Sequence, residues 1–223
     1  MRLDRLVGKL ASLGRQDVRA RLAAGSVQVG GQTERDGSRL VGPFEWVMLG
    51  DRMLQSRTPR YVLLHKPAGY VSATTDPEYP TVISLIHEPW AEDLHLAGRL
   101  DRATTGLVIL TNDSTFSEAL TEPGARVPKA YVVTTDHPVS AEAVMAFEQG
   151  MFFAKEGVTT QPAFVEPFGP CRTRLTIYEG KHHQVKRMFA RFDICVTALH
   201  RESVGKYHLD NLPEGSYCSF DAR

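Results

Sequence analysis

The sequence predicts an α+β protein in which a small first domain precedes a larger one, built on a mixed, mainly antiparallel sheet flanked by helices. The chain has 223 residues, which is comfortable for two domains. Its first part shows helical spacing followed by short strand patterns. The rest mixes strand and helix patterns without the alternation of a doubly wound parallel sheet. We place the domains at residues 1–55 and 59–223, with a polar linker between them.

The first domain begins with two predicted helices. The first helix ends near Gly14, and the second covers residues 16–24. The apolar side of the first helix consists of Leu3, Leu6, Val7 and Leu10. Residues 27–29 alternate as a strand does, and the apolar run 46–49 predicts another strand.

The second domain contains apolar runs and helical patterns in irregular order. Residues 106–111 contain four consecutive apolar residues, which predicts a buried strand. Further strands are predicted at 61–64, 131–135 and 174–178, and helices at 140–149 and 184–192.

The formal net charge of zero hides two basic segments. Residues 1–60 hold 11 Lys and Arg against 6 Asp and Glu, and residues 172–206 hold 8 against 3. Clustered positive charge suits a nucleic acid, because each neutralised phosphate releases counterions. A solvated face of lysines and arginines would give the same count, so charge alone leaves both interpretations open.

The composition argues against a membrane or secreted protein. No run of about 18 apolar residues occurs, and the charged first residues lead into no apolar segment. The cysteines, Cys171, Cys195 and Cys218, are odd in number and match no zinc or disulfide pattern. We therefore expect a cytoplasmic protein without a membrane partner.

The segment 97–106 is the strongest candidate for chemistry. It places Asp101 in a loop rich in Gly and Thr, directly before the predicted buried strand. A rigid strand can hold such a loop in place, and a carboxylate there can act as a nucleophile, a base or a metal ligand. An aspartate that only forms a turn would give the same pattern.

Four segments, in this order along the chain, resemble the motifs of the pseudouridine synthases. They are Lys-Pro-Ala-Gly at 66–69, Gly-Arg-Leu-Asp with Thr-Thr-Gly at 98–106, Lys-Ala-Tyr at 129–131, and the segment 179–188 with His-His-Gln-Val-Lys-Arg-Met. The first domain resembles the S4 RNA-binding module. This resemblance lies in residues 2–6, Arg15, residues 19–22 and residues 25–31. Together the resemblances cover nearly the whole chain and imply a pseudouridine synthase domain after an S4 domain.

Two segments narrow the resemblance to a subfamily. Residues 183–190 and 199–205 resemble the small-subunit ribosomal synthases (the RsuA type), which implies isomerisation of a 16S rRNA uridine, expected at uridine 516. Large-subunit relatives usually carry Arg-Arg where this chain has Lys186 and Arg187. Three alternatives stay open. They are a synthase acting on 23S rRNA, a non-catalytic RNA-binding assembly factor, and a nucleoside hydrolase, which would need a second carboxylate.

The resemblance implies three catalytic residues. Asp101 would be the nucleophile, and Lys186 the cation that keeps this carboxylate ionised in a closed pocket. Tyr131 would stack on the target base and help to remove the C5 proton.

Neither a cofactor nor a metal is expected. Isomerisation oxidises nothing and transfers no group to another molecule, so the reaction needs no cofactor. The histidines near the motifs, His182, His183 and His200, have no carboxylate or cysteine at a metal-binding spacing.

The remaining candidate residues are expected to bind RNA. Arginines of the first domain would contact phosphates. The resemblance implies that Arg99 takes the place of the extruded base in the RNA stack, and an arginine that only stabilises the turn would give the same sequence. The set is Arg2, Arg5, Arg15, Arg19, Lys66, Arg99, Arg102, Lys181, His183 and Arg187. The expected partner is 16S rRNA, either free or within an assembling small subunit, and we expect the protein to be a monomer.

Overall fold

The computed structural model describes residues 1–154 and 156–222, and the chain divides into two compact units, Met1–Pro59 and Arg60–Arg223. The helices are α1 (Leu3–Ala11), α2 (Arg15–Ala23), α3 (Ser114–Thr121), α4 (Ala141–Gln149) and α5 (Gln184–Ala190). The strands are β1 (Val27–Val29), β2 (Gln32–Thr33), β3 (Val47–Leu49), β4 (Arg52–Gln55), β5 (Tyr61–Lys66), β6 (His95–Leu96), β7 (Thr105–Thr111), β8 (Lys129–Thr135), β9 (Phe152–Phe153), β10 (Val158–Thr159), β11 (Phe164–Gly169), β12 (Arg172–Ile177), β13 (Val196–Val204), β14 (Tyr207–His208) and β15 (Tyr217–Ser219).

The small unit combines α1 and α2 with an antiparallel four-stranded sheet in the order β2-β1-β3-β4. Its core forms because both helices and the sheet bury apolar residues at the predicted spacing. The buried members are Leu3, Leu6, Val7, Val18, Leu22, Val27, Val29, Val41 and Val47. Leu10 was predicted to lie on the apolar side of α1 but is exposed, one residue before the helix ends.

The large unit is built on a nine-stranded sheet in the order β11-β12-β8-β13-β7-β5-β15, with β6 and β14 at its sides. The pairing of β7 with β13 is parallel, and the other strand pairings among the described residues of this sheet are antiparallel. A separate pair of strands joins β9 and β10. The predicted α+β class with a mainly antiparallel sheet is therefore confirmed.

Strand β7 is buried on both faces of the sheet, which explains its unbroken apolar sequence. Val108 and Leu110 join a core that also contains Phe147 from α4 and Phe189 from α5. Leu107 and Ile109 join a second core that includes residues of α3. A strand between two apolar layers has no polar face, so period-two alternation disappears from its sequence.

Gly106 lets β13 approach β7. Its φ is +110°, and a Cβ atom built on it would lie 2.3 Å from the carbonyl oxygen of Arg201. A residue with a side chain could not keep this backbone geometry. The glycine therefore brings the middle of β13 beside the segment that carries Asp101.

None of the helices formed by the described residues has both the length and the apolar character needed to cross a membrane.

Candidate active site

The loop that carries Asp101, residues 97–104 (the Asp101 loop), connects β6 to β7 and is fixed by backbone hydrogen bonds. The amide of Thr104 donates to the carbonyl oxygen of Asp101 at 3.0 Å. The amide of Leu100 donates to Oγ of Ser72 at 3.0 Å, and the amide of Gly69 donates to the carbonyl oxygen of Arg102 at 2.9 Å. The loop thus holds its carboxylate in place, as expected of a catalytic loop on a rigid scaffold.

Two nitrogen atoms face the Asp101 carboxylate. Lys186 Nζ lies 3.6 Å from Oδ2, and His183 Nε2 lies 3.4 Å from Oδ1. Lys186 lies on the first turn of α5, and His183 immediately precedes that helix with a φ of +50°. The Asp101 side chain keeps 30% of its surface exposed, so an entering base can reach its oxygens.

Tyr131 and Arg201 face each other at the centre of the sheet. They are register partners on β8 and β13, and both are buried, with exposures of 6% and 2%. Arg201 Nη1 donates to the hydroxyl of Tyr131 at 3.5 Å and to the carbonyl oxygen of Arg99 at 3.3 Å. Arg201 Nε donates to the carbonyl oxygen of Leu107 at 2.8 Å. Arg201 thus bonds to backbone on both sides of Asp101.

These elements surround one cavity of about 650 Å³, which we call the Asp101 cavity. It receives residues from the Asp101 loop, from β8, β12 and β13, and from the segment that leads into α5. Its lining consists of Val71, Ser72, Gly98, Arg99, Leu100, Asp101, Arg102, Thr104, Thr121, Lys129, Tyr131, Ile177, Gly180, Lys181, His182, His183, Gln184, Val185, Lys186, Leu199 and Arg201. The three predicted catalytic residues therefore share one cavity.

Partly buried hydrogen bonds hold the segment before α5. The amide nitrogen Nε2 of Gln184 donates to Glu179 Oε1 at 2.9 Å, and Gln184 Oε1 accepts from the amide of Lys181 at 3.0 Å. Lys181 also forms an ion pair with Glu179 at 3.1 Å. This network fixes the turn that presents His183 and Lys186 to the carboxylate.

Lys66 was predicted to contact RNA, and its burial inside the protein argues against that role. Its side chain is fully buried, and Nζ donates to the carbonyl oxygens of Pro67, Arg102 and Thr104 at 2.9, 3.1 and 2.7 Å. Burial lowers the pKa of Lys66 from 10.5 to about 8, against the opposing effect of the Asp101 carboxylate. A buried ammonium that bonds two carbonyls of the Asp101 loop supports that loop from inside the protein.

The other predicted RNA contacts fall into two groups. Arg99, Arg102, Lys181 and His183 line the Asp101 cavity, where an RNA strand could meet them. In the small unit, the side chains of Arg2, Arg5, Arg15 and Arg19 are exposed. Arg2 also forms an ion pair with Asp4 at 2.6 Å. Their roles stay predictions.

Arg187 was predicted to bind phosphate, a role that stays a prediction, and in the structure it is paired within the protein. Its two terminal nitrogens donate to the two carboxylate oxygens of Glu156 at 2.7 Å each. Its guanidinium also lies 3.9 Å from the ring centroid of Phe153. The charge of Arg187 is thereby largely compensated within the protein.

Within residues 1–154 and 156–222, no three His, Cys, Asp or Glu side chains are arranged to hold a metal ion. His182 and His183 stack on each other with centroids 3.9 Å apart, and His200 Nδ1 lies 2.8 Å from Oγ1 of Thr105. The expectation that the protein uses no metal stays a prediction.

Two cationic residues of the cavity, Arg201 and Lys129, were not predicted as site residues. Lys129 preceded the predicted tyrosine in its motif, and Arg201 was used only as a marker of the subfamily. Burial and the positive charge of Arg201 lower the pKa of Lys129. In the sequence Arg201 stands between His200 and Glu202, so the local pattern does not predict that it is buried.

Comparisons with known proteins identify the family of the chain. The family model of RNA pseudouridylate synthase matches residues 60–191. The chain is 48% identical to ribosomal small subunit pseudouridine synthase A of Pseudomonas aeruginosa, covering 100% of this chain and 97% of that protein. It is 39% identical to the protein of that name from Escherichia coli, covering 97% and 95%. A crystal structure of a pseudouridylate synthase superposes with a TM-score of 0.71 at 34% identity, covering 99% of this chain and 96% of that one.

Proposed function

The chain belongs to the RNA pseudouridylate synthase family, and we propose that it isomerises one uridine of 16S ribosomal RNA to pseudouridine, with Asp101 as the nucleophile. The observation that carries this proposal is the position of Asp101. Its carboxylate lies at a cavity that also contains Lys186 and Tyr131, within 3.6 Å of the Lys186 ammonium.

The reaction breaks the bond between N1 and the ribose, and the base rejoins the sugar through C5. The hydrogen of C5 leaves as a proton, and N1 gains one. A nucleophile divides this rearrangement into two easier steps by holding a transient adduct. The Lys186 ammonium lies 3.6 Å from Oδ2 of Asp101, so its positive charge attracts the carboxylate at the cavity.

The target base must leave its stack in folded RNA to reach Asp101, at a cost of a few kcal/mol. A cavity of about 650 Å³ has room for a nucleoside. Tyr131 presents an aromatic side chain for stacking on the extruded base, and its hydroxyl is a group that can help to transfer the C5 proton. We assign to Arg99, two residues before Asp101, the role of filling the place in the RNA stack that the extruded base leaves.

The choice of 16S rRNA rests on the relatives. Relatives that carry the name ribosomal small subunit pseudouridine synthase A are 39–48% identical to this chain over almost its whole length. The similarity to these relatives extends over both units of this chain, which favours the interpretation that the chain shares their substrate and not only their fold. We propose uridine 516 as the modified nucleotide.

We further propose that the small unit is an S4 domain that binds structured RNA through its exposed arginines. The substrate is then held by two units, one that contacts phosphates and one that carries out the isomerisation. The enzyme acts in the cytoplasm, where ribosomal RNA is found, and as a monomer. Sedimentation of the free protein tests its oligomeric state.

The first experiment uses RNA that carries tritium at uridine C5, because formation of pseudouridine releases this label to water. Substrates are 16S rRNA, 23S rRNA and partly assembled small subunits. We expect the wild type to release one tritium per 16S rRNA. In Asp101→Asn the rate of release should fall at least about 10³-fold, while the affinity for RNA is retained. The matched control is Asp210→Asn, because Asp210 is exposed and has a φ of +47°, which asparagine also tolerates.

Other outcomes would correct the proposal. Release from 23S rRNA alone would keep the chemistry and reject the subunit assignment. Tight RNA binding without release from any substrate would indicate an assembly factor. Normal release by Asp101→Asn would reject Asp101 as the nucleophile. Mapping the modified nucleotide on the product then tests uridine 516 directly.

A further inference from the structure

The buried guanidinium of Arg201 has hydrogen-bonding capacity that the protein does not use. Nε and Nη1 have acceptors, but Nη2 has no hydrogen-bond partner among the described residues, although it is shielded from solvent. Buried polar groups are nearly always paired, because an unpaired donor costs free energy. Such a donor at a substrate-sized cavity suggests that the ligand supplies its acceptor.

The position of Arg201 indicates where that acceptor would lie. Arg201 lines the Asp101 cavity together with Asp101 and Tyr131. Within residues 1–154 and 156–222, the buried side-chain atoms without a partner are Arg201 Nη2 and Thr104 Oγ1, and both residues line this cavity. The unpaired polar atoms are therefore found where substrate is expected to bind.

The charge of Arg201 is also uncompensated. The ion pairs among the described residues include no carboxylate within 4.0 Å of its guanidinium, and its charge lowers the pKa of Lys66 and Lys129. A buried cation without an anionic partner is costly to the folded protein. An anion that exists only during the reaction would offset this cost at the moment of catalysis.

We infer that Arg201 is a catalytic residue whose Nη2 donates a hydrogen bond to a carbonyl oxygen of the target uracil, O2 or O4. This inference rests on the proposed function. When the N1–C1′ bond breaks, its electron pair stays on the base and is delocalised over N1, O2 and O4. Attack of Asp101 on C6 also places negative charge on O4. A fixed cationic donor at either oxygen stabilises that charge as it develops.

The test combines a change in the enzyme with a change in the substrate. Arg201→Met removes the donor but keeps an unbranched side chain. Arg201→Lys keeps the positive charge but lacks the planar guanidinium with its two terminal nitrogens. The target uridine is replaced by 2-thiouridine or 4-thiouridine, because sulfur is a weak hydrogen-bond acceptor. Tritium release is followed in single turnovers with saturating enzyme, while RNA affinity and circular dichroism report binding and folding.

We expect Arg201→Met to slow tritium release about 100-fold at nearly unchanged RNA affinity, as for loss of one donor to a developing oxyanion. Arg201→Lys should retain part of the rate. For the wild type, one of the two thio substrates should react about tenfold or more slowly than uridine. Arg201→Met should react with that same thio substrate as fast as with uridine. The matched control is Arg172→Met, because Arg172 is an exposed strand arginine outside the cavity.

The inference is wrong if both thio substrates slow the wild type and Arg201→Met by equal factors, because the two groups would then not interact. It is also wrong if neither thio substrate slows the wild type, a measurement that needs no variant to fold. If Arg201→Met is unfolded, Arg201→Lys takes its place in the comparison. Absence of release by the wild type from ordinary uridine would instead reject the proposed function.

Discussion

The two units use the same cationic residue types in opposite ways. In the small unit, Arg5, Arg15 and Arg19 are exposed to solvent. In the large unit, Lys66 and Arg201 are buried and donate to backbone carbonyl oxygens around the Asp101 loop. An exposed cation contributes to RNA affinity by releasing counterions, whereas a buried one acts through fixed geometry. A count of charges in the sequence treats both sets alike.

The burial of two cations near one carboxylate follows from their hydrogen bonds. An ammonium with three carbonyl acceptors is well solvated by the protein, and this lowers the cost of removing it from water. Both cations are used to hold residues 99–107 in one conformation. Lys66 and Arg201 thus help to fix the shape of the large unit, whereas we expect Arg5, Arg15 and Arg19 of the small unit to act in binding alone.

The largest expected effect is that of a methyl group on Gly106. In Gly106→Ala the added Cβ would lie 2.3 Å from the carbonyl oxygen of Arg201, at a φ of +110°. We expect a loss of about 4 kcal/mol or more in the free energy of unfolding of the large unit. Denaturant unfolding measures it.

The matched change in the small unit is Gly30→Ala. Gly30 also has a positive φ, +58°, but nothing lies within 4 Å of the position that an added methyl group would take. We expect a loss of about 1 kcal/mol, the cost of the left-handed conformation alone. Equal losses for the two variants would contradict the close contact between β7 and β13.

A smaller but still large effect is expected when Lys66 becomes Met. Lys66→Met leaves the carbonyl oxygens of Arg102 and Thr104 without their donor, so the Asp101 loop should lose its fixed position. We expect the single-turnover rate to fall about 100-fold, as for a misplaced catalytic group. Lys9→Met is the control, because Lys9 is exposed on α1 and its loss should leave that rate unchanged. A normal rate for Lys66→Met would show that the loop is held by other contacts.

The pH dependence should distinguish Lys66 from the exposed cations. The pKa of Lys66 is about 8 in the folded enzyme instead of 10.5, so Lys66 loses its proton at a lower pH in the folded enzyme than in the unfolded chain. A neutral amine has two hydrogens for three carbonyls, so the reaction rate should fall as pH rises through about 8. Between 8 and 10.5 the unfolded chain binds more protons here, so the contribution of Lys66 to stability rises with pH.

Titration of Lys66 should therefore make the reaction rate fall and its contribution to stability rise as pH increases from about 8 to 10.5. A pH–rate profile in single turnovers and unfolding curves at matched pH values give the two quantities. The Lys66→Met variant should lose both trends. If its profile matched the wild type above pH 8, titration of the RNA substrate would account for the decline instead.

The smallest expected effect is that of removing two exposed arginines. In the double variant Arg15→Gln/Arg19→Gln, two charges four residues apart on α2 are lost. We expect weaker RNA binding and a logarithmic salt dependence that is shallower by about 0.7–0.9 per lost phosphate contact. The rate with saturating enzyme should not change. Arg21→Gln on another side of α2 is the control, and an equal loss there would indicate nonspecific attraction.

Much of the fold could be predicted because local patterns determined it. The apolar run at 106–111 predicted a buried strand, and β7 is buried against two cores. The helix predicted at 184–192 exists but ends at Ala190, shortly before Asp193 adopts a φ of +57°. Strand β13 was not predicted as a strand, because four consecutive polar residues, 200–203, interrupt its apolar residues.

The candidate site was predictable only in part. Resemblance to a family brought Asp101, Tyr131 and Lys186 together, and the structure places all three at one cavity. It could not show that Lys66 is buried, because a lysine in a motif looks the same whether it contacts RNA or a backbone carbonyl. Nor could it show that Arg187 pairs with Glu156, which lies 31 residues away in sequence.

The contact of Gly106 with Arg201 also sets an order of events during folding. It belongs to the pairing of β7 with β13, in which Thr105 meets a residue 95 positions later in the chain. Closing so long a loop is entropically costly, so contacts of this kind form late and slowly. The small unit closes mostly short loops. The RNA-binding surface that we propose for the small unit should therefore form before the Asp101 cavity does. A chain interrupted before β13 would carry Asp101 without the complete cavity.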